Sequence, residues 1–458
     1  MKTRFHLLTI LLLPAFIIHA QQKHVLTVKE AVDLAFKNLA EVKNAELDYK
    51  IQEAQNEEIF GQALPQVTGN ASAAHYLKLP EVLFPQSEEG IYTVLKREGL
   101  IGAGVSAPPP QLVPFSFQQP WTSTVGATLT QLLFQPDVFV GLQARKTALS
   151  LSEAKLQQTK EKVKDSAYKR YYAILIVERQ LHFIDQGLDR LRKLYHDDSI
   201  MFVNGFAERL DLDKVQVQIN NLTSARNAVA NAIDISYAAL KFSIGIPQSD
   251  TVVLKDDLTT ATLKEDILVD SFKYEDRAEI RTLDYAKQMQ ELDLKRHKLG
   301  YLPTVALQGN YSWMGQGAYF FTSGRNYSFT TAFVGLNLNV PIFQGFQRKK
   351  RVRQSELNVL KVENTIENVK QGIDFEQNIT RGNLKTALAS LDIQERNMVL
   401  AEKVYNSTKL KFEQGLGSSF EVLQADTDMQ TAQSNYFNAL YNAILAKISY
   451  QYSLGKLL

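Results

Sequence analysis

The chain repeats itself. Leu64-Pro65-Gln66-Val67 returns as Leu302-Pro303-Thr304-Val305. Gly126–Phe134 (GATLTQLLF) returns as Gly335–Phe343 (GLNLNVPIF) at an offset of 209. Asn204-Gly205-Phe206 returns as Gln414-Gly415-Leu416, and Leu240–Gly245 (LKFSIG) as Tyr450–Gly455 (YQYSLG), both at 210. Landmarks that recur in one order at nearly one spacing mark two homologous halves. With a leader over 1–20, the halves are 21–250 and 251–458, joined near 247–264.

Each half follows one plan. A helix ends at the Leu-Pro step, because proline cannot continue it and pushes the preceding residue towards extended geometry. A strand, a loop and a second strand follow. A long helix then runs to a glycine, and a return helix leads to the terminal Ile-Gly or Leu-Gly. Thr27 with Glu30 three residues on is a capping box that starts the first helix. Val359, Val362, Ile366, Val369 and Ile373 step by three and four, and Leu149, Leu156 and Val163 recur every seven, the spacing of coiled-coil seams. The long helices are predicted over 141–204 and 346–414, about 95–105 Å each at ~1.5 Å per residue. The return helices, 206–244 and 417–455, are too short to cover them. The opening helices, 30–63 and 275–301, supply the remaining cover, so two short helices match each long one in an elongated helical body.

The second strand of each half alternates. Val125, Ala127, Leu129 and Leu133 are interleaved with Thr122, Thr124, Thr128 and Thr130. Ala332, Val334, Leu336, Leu338, Val340 and Ile342 are interleaved with Thr331, Asn337 and Asn339. A transmembrane barrel with a wet lumen reads this way, and so does a half-buried soluble sheet. Trp121, Trp313, Tyr311, Tyr327 and Phe329 at the strand ends point to an aromatic girdle. A barrel needs about eight strands, so four per chain require oligomerisation to hide the edges. Loop 78–120 is long, with Pro108-Pro109-Pro110 and several glycines against a simple helix, whereas its counterpart 315–327 is short and glycine-rich.

Composition narrows the setting. Lys2 and Arg4 followed by the apolar Leu7–Ile18 form a secretory leader ending near Ala20. Its removal brings the 51 basic residues level with the 49 acidic ones, so no overall attraction to nucleic acid follows. There is no cysteine, hence no disulfide and no lipid-attachable thiol. Beyond the leader no apolar run reaches the ~18 residues a membrane helix needs, so a membrane role would need a barrel. The histidines are scattered, and no HExxH, P-loop, GxSxG or strand-borne GxGxxG occurs. The chain therefore reads as no enzyme, with no cofactor and no metal. His196-Asp197-Asp198, within the long helix, reads as a solvated face.

The duplication, the Leu-Pro steps, the QLLF and VPIFQG strand ends, the two tip glycines and the terminal Ile-Gly-Ile-Pro and Ser-Leu-Gly together resemble the TolC-like outer-membrane efflux family, over almost all of 24–458. The fold class the resemblance implies is mainly α with a membrane β-barrel portion. Two tandem repeats, each a β-hairpin plus a long coiled-coil α-helical hairpin, would assemble as a trimeric α/β barrel duct. Such a duct is a passive exit channel of a tripartite efflux or type I secretion system. It docks on a periplasmic adaptor and is driven by an inner-membrane transporter. The resemblance places Glu421 at the first acidic position of the periplasmic aperture, with Gln424 where a second acid stands in the family. Ser418 lies in the same stretch, and Asp211 is the first-half equivalent of Glu421. Gly205, Phe206, Gly415 and Leu416 become adaptor-docking tips. Arg348, Lys349, Lys350 and Arg351, directly after the second strand, would meet outer-membrane lipid headgroups, since export argues against nucleic acid. A periplasmic coiled-coil adaptor or binding module is the alternative, but it would have a single hairpin flanked by lipoyl-like domains.

Overall fold

The computed structural model describes residues 22–256, 272–319 and 327–457. The leader, part of the join between the halves and 320–326 of the short loop lie outside the described residues. In chain order the elements are β1 (Lys23–Leu26), α1 (Val28–Asn38), α2 (Ala40–Gln62), β2 (Gln66–His75), β3 (Val82–Gln86), α3 (Glu89–Arg97), β4 (Gln111–Phe115), β5 (Trp121–Phe134), α4 (Pro136–Val203) and α5 (Arg209–Ile244). They continue with β6 (Thr251–Leu254), α6 (Ala278–Leu299), β7 (Thr304–Gly317), β8 (Tyr327–Asn339), α7 (Gln347–Glu413) and α8 (Ser419–Ser453). The chain is mainly helical, and among the described residues no helix is long and apolar enough to cross a membrane. It divides into two compact units, one from the described residues of Met1–Glu53, Lys146–Met289 and Val359–Leu458, the other from Ala54–Arg145 and Gln290–Asn358.

The second unit holds an antiparallel sheet in the order β2-β5-β7-β8. Its register sorts side chains by parity, because directly paired residues share a face. One face carries the rows Val67–Leu129–Gly309–Val334 and Gly69–Ala127–Tyr311–Ala332. The other carries Gln66–Thr130–Gln308–Gly335 and Asn70–Gly126–Ser312–Thr331. On that polar face the Asn310 amide donates to Thr128 Oγ1 at 3.1 Å, and the Ser312 and Thr331 hydroxyls meet at 2.8 Å. The same register corrects the girdle. Trp121, Tyr311 and Trp313 lie on the apolar face, but Tyr327 pairs with Gln316 and Phe329 with Met314, which puts both on the polar face with Thr331. A period of two leaves them no choice once Val334 is on the apolar side. Loop 78–120 is also more ordered than its prolines suggest. It holds the β3–β4 hairpin and the short helix α3, and Pro108–Pro110 fall between α3 and β4.

The first unit is built on the long helices. The seam positions Ile366 and Ile373 are buried, as is Val163. The largest core cluster joins Ala31, Ala35 and Val42 to Tyr171, Ile174, Leu240, Ile244, Leu391, Leu440 and Ile444. β1 and β6 pair in parallel, Lys23 to Thr251 through Leu26 to Leu254, and close over this core. The capping box forms as the sequence predicts, with Thr27 Oγ1 accepting from the Glu30 amide at 3.3 Å and Glu30 Oε2 accepting from the Thr27 amide at 2.7 Å.

The opening helix is not continuous. It breaks at Leu39, which is extended at φ −67° and ψ 130°. A glycine far away in sequence packs against the break. Gly245 ends α5 at φ +70°, and any Cβ there would sit 2.9 Å from Asn38 Cβ and 3.0 Å from the Leu39 nitrogen. A Cβ on Gly455, at φ +69° after α8, would likewise lie 2.8 Å from the Asp276 carbonyl oxygen, just before α6 begins. Beside it the Arg277 guanidinium, 4% exposed, donates to Glu376, Glu279 and the carbonyls of Tyr452 and Ser453, which satisfies the buried charge.

The Tyr171 hydroxyl is the polar centre of the core. It donates to the Leu26 carbonyl at 2.8 Å and accepts from the Asp256 amide at 3.3 Å, linking α4 to β1 and to the segment after β6. Burial pushes its pKa up, so it stays a donor. Tyr171→Phe keeps the packing and strands both backbone groups, and should destabilise the protein by about 1–3 kcal/mol, read as a lower denaturation midpoint.

Candidate functional site at the helix turns

The α4–α5 and α7–α8 turns are built alike. Gly205 at φ +79° and Gly415 at φ +72° each follow a long helix. At the first, the Phe206 amide bonds Met201 O and the Gly205 amide bonds Phe202 O; at the second, Leu416 bonds Lys411 O and Gly415 bonds Phe412 O. This is the Schellman ending, which needs a residue tolerant of positive φ. The residue after each glycine is apolar and open to solvent, with Phe206 83% and Leu416 77% exposed.

The two turns are held together. Leu194, Val215, Tyr405, Val422, Ala425 and Met429 form one buried cluster from α4, α5, α7 and α8. Asp211 pairs with Lys214 at 3.5 Å, and Lys214 Nζ lies 5.0 Å from the Phe420 ring centre, so Lys214 links the first-half candidate to the residue preceding Glu421. Ser418 caps α8, its Oγ accepting from the Glu421 amide at 3.2 Å. The Glu421 side chain is exposed, with Oε2 lying over Gly417. Gln424 is exposed and donates to Asp428 Oδ1 at 3.0 Å. In the other unit, Arg348 donates to Gln344 and stacks on Tyr301, while Lys349, Lys350 and Arg351 stand exposed in the first turn of α7.

The structure adds residues that the sequence reading passed over. Asp198, read as part of a solvated face, is fully buried; it accepts from the Ser419 hydroxyl, and its other oxygen has no partner. Burial raises its pKa, the Ser419 hydrogen bond opposes this, and Asp211 and Asp197 raise it further. Nearby, Asp426 is 1% exposed and accepts from Arg190 Nε at 2.7 Å and from Gln430. Burial raises its pKa, and the Arg190 charge opposes this. Both carboxylates tie α4 to α8. The signal was present in the spacing. Leu191, Leu194 and Asp198 step by three and four along the buried stripe, as do Val422, Asp426 and Met429. A carboxylate in a seam position must find a partner. Among the described residues no group of three or more His, Asp or Glu side chains could hold a metal ion.

Long helical hairpins joined to a four-stranded antiparallel sheet are the fold of outer-membrane channels. VceC of Vibrio cholerae superimposes with a TM-score of 0.68 at 13% identity, over 93% of this chain and 96% of that one. The CmeC outer-membrane channel of Campylobacter jejuni gives 0.71 at 15% identity, over 94% and 86%. In sequence, outer membrane protein TolC of Vibrio cholerae is 21% identical over 73% of this chain and 77% of its own length. The family model described as outer membrane efflux protein matches residues 289–456. That match, the TolC relatives and the solved structures all agree with the resemblance to outer-membrane efflux proteins drawn from the sequence. TolC and VceC are outer-membrane proteins, and CmeC is an outer-membrane channel.

Arg190→Ala leaves Asp426 buried without its cation, and should destabilise the protein by about 3–5 kcal/mol. Arg190→Met with Asp426→Leu should recover most of that loss in the same denaturation assay.

Proposed function

We propose that three copies of this chain close one barrel and one helical duct, a passive exit for cargo driven by an inner-membrane transporter through a periplasmic adaptor. The protein is an outer-membrane efflux channel; the stoichiometry, partners and residue roles are the proposal. The observation that carries it is the sheet. One face is apolar, the other carries threonine, asparagine and serine with Tyr327 and Phe329 among them, and among the described residues the outer edges of β2 and β8 are unpaired. Lipid cannot satisfy backbone edges, and four strands cannot close on themselves. Further copies meeting both edges would close it, and the family resemblance supports three of them.

The two halves, 21–250 and 251–458, are proposed as one repeat used twice. Support comes from paired details: Gly205 with Gly415, Gly245 with Gly455, and a helix break at Leu39 matched by the start of α6 after Arg277. Exposed Phe206 and Leu416 on their rigid turns are proposed as adaptor-docking tips. Arg348, Lys349, Lys350 and Arg351 stand at a helix N-terminus with no acid in the first turn. The helix dipole disfavours cations there, so an anionic partner such as lipid phosphate accounts for them better than helix stability does. Only six methionines and scattered histidines favour small-molecule cargo over metals, with protein secretion next.

Glu421 is proposed to ring the aperture with Gln424, Ser418 and Asp211 beside it. Three carboxylates drawn close attract cations. Native mass spectrometry in mild detergent should give three times the mass of the mature chain; monomers alone would exclude the barrel. In planar bilayers Glu421→Ala should lower cation selectivity and any divalent block while folding is unchanged, because its side chain is exposed and its amide keeps the Ser418 cap.

A further inference from the structure

The segment between β2 and β5 carries more apolar surface than a loop has use for. In the β3–β4 hairpin Val82 pairs with Phe115, Phe84 with Val113, Leu83 with Pro114 and Pro85 with Leu112. Parity puts Val82, Phe84, Val113 and Phe115 on one face and Leu83, Pro85, Leu112 and Pro114 on the other. Both faces are apolar and both are open: Phe84 is 55% exposed and Leu112 63%. A two-stranded hairpin is marginal in water on its own, and strands apolar on both sides belong to sheets covered on both sides. Among the described residues nothing covers these.

The edges are closed to strand addition. Proline has no N–H to donate, and in a strand it is tolerated where that position faces away from the ladder. Pro85 on β3 and Pro114 on β4 therefore blunt both edges, leaving face-to-face packing. The position in the fold supplies the occupant. The segment leaves from β2, one edge of the four-stranded sheet, whose opposite edge is β8. Closing a ring of copies sets β2 of one beside β8 of the next, so each hairpin stands at a seam between neighbours. A cyclic ring is head-to-tail, each contact joining two different surfaces. A hairpin with two different apolar faces suits that geometry.

We propose that the three β3–β4 hairpins pack into a ring at the barrel mouth on the β2–β5 side, the Phe84 face of each against the Leu112 face of the next. This inference rests on the trimer proposed above. It makes the mouth a second constriction, built from residues that the first and second halves do not share.

The chain has no cysteine, so introduced thiols report without background. The test uses the full-length protein in detergent and in outer membranes, oxidised mildly and run on denaturing non-reducing gels. Phe84→Cys with Leu112→Cys should give covalent dimers and trimers. Either substitution alone should give monomers, because like faces do not meet. Within one hairpin the two thiols point to opposite sides and cannot bridge. In both single variants labelling by a membrane-impermeant maleimide should fall to a small fraction of that at Leu77→Cys, since Leu77 is 94% exposed. A trimer on native mass spectrometry whose thiols label freely and never link would overturn the ring and leave the trimer standing. Thiols protected but not linked would mean another occupant covers the faces, which also overturns it. Monomers on native mass spectrometry would remove the trimer, and the ring with it.

Discussion

Unpaired backbone at the rims of one four-stranded sheet governs much of this protein. A strand edge offers a row of N–H and C=O groups that water can satisfy and hydrocarbon cannot. β2 and β8 each offer such a row, while the faces between them are already sorted into apolar and polar. The sheet is therefore finished in its side chains and unfinished in its hydrogen bonds. In the proposed ring, assembly is the step that completes it.

That core mixes apolar seams with a few buried polar groups, and each of the latter sits where chains of different origin meet. Tyr171 joins a long helix to β1 and to the segment just after β6, at the start of the second half. Arg277 gathers two carboxylates and the last carbonyls of α8. Asp426 and Asp198 tie α4 to α8 near the turns. Apolar seams alone would tolerate sliding by a heptad. A charge that must meet one partner does not, so these links set the register of the bundle.

Much of this was legible in the sequence, for identifiable reasons. Thr27 with Glu30, the heptads, the Leu-Pro steps and the strand alternation are local patterns, and local patterns survive without tertiary knowledge. The glycines at 205 and 415 were visible as turns because positive φ leaves a compositional trace. The break at Leu39 left none, and the residue packed against it, Gly245, is distant in sequence. α3 was hidden by the prolines downstream of it. Tyr327 and Phe329 were misplaced although parity was available: counting by twos from Val334 puts them on the polar face. Of the candidate site, the turn glycines and the Ser418 cap could be read directly. Asp198 and Asp426 needed the further step of asking why a carboxylate occupies a seam.

The break at Leu39 has a consequence for how such a chain can change. In an unbroken helix one inserted residue turns everything beyond it by about 100° and misaligns the whole seam. An extended residue between α1 and α2 interrupts that propagation. The two helices keep separate rotational phases, so α2 can gain or lose residues while α1 stays seated against Gly245. The long helices α4 and α7 have no such joint, so one residue inserted there shifts the seam beyond it. The protein thus pairs elements of unequal evolutionary freedom along the same bundle, with tolerance to insertion concentrated in the short opening helix.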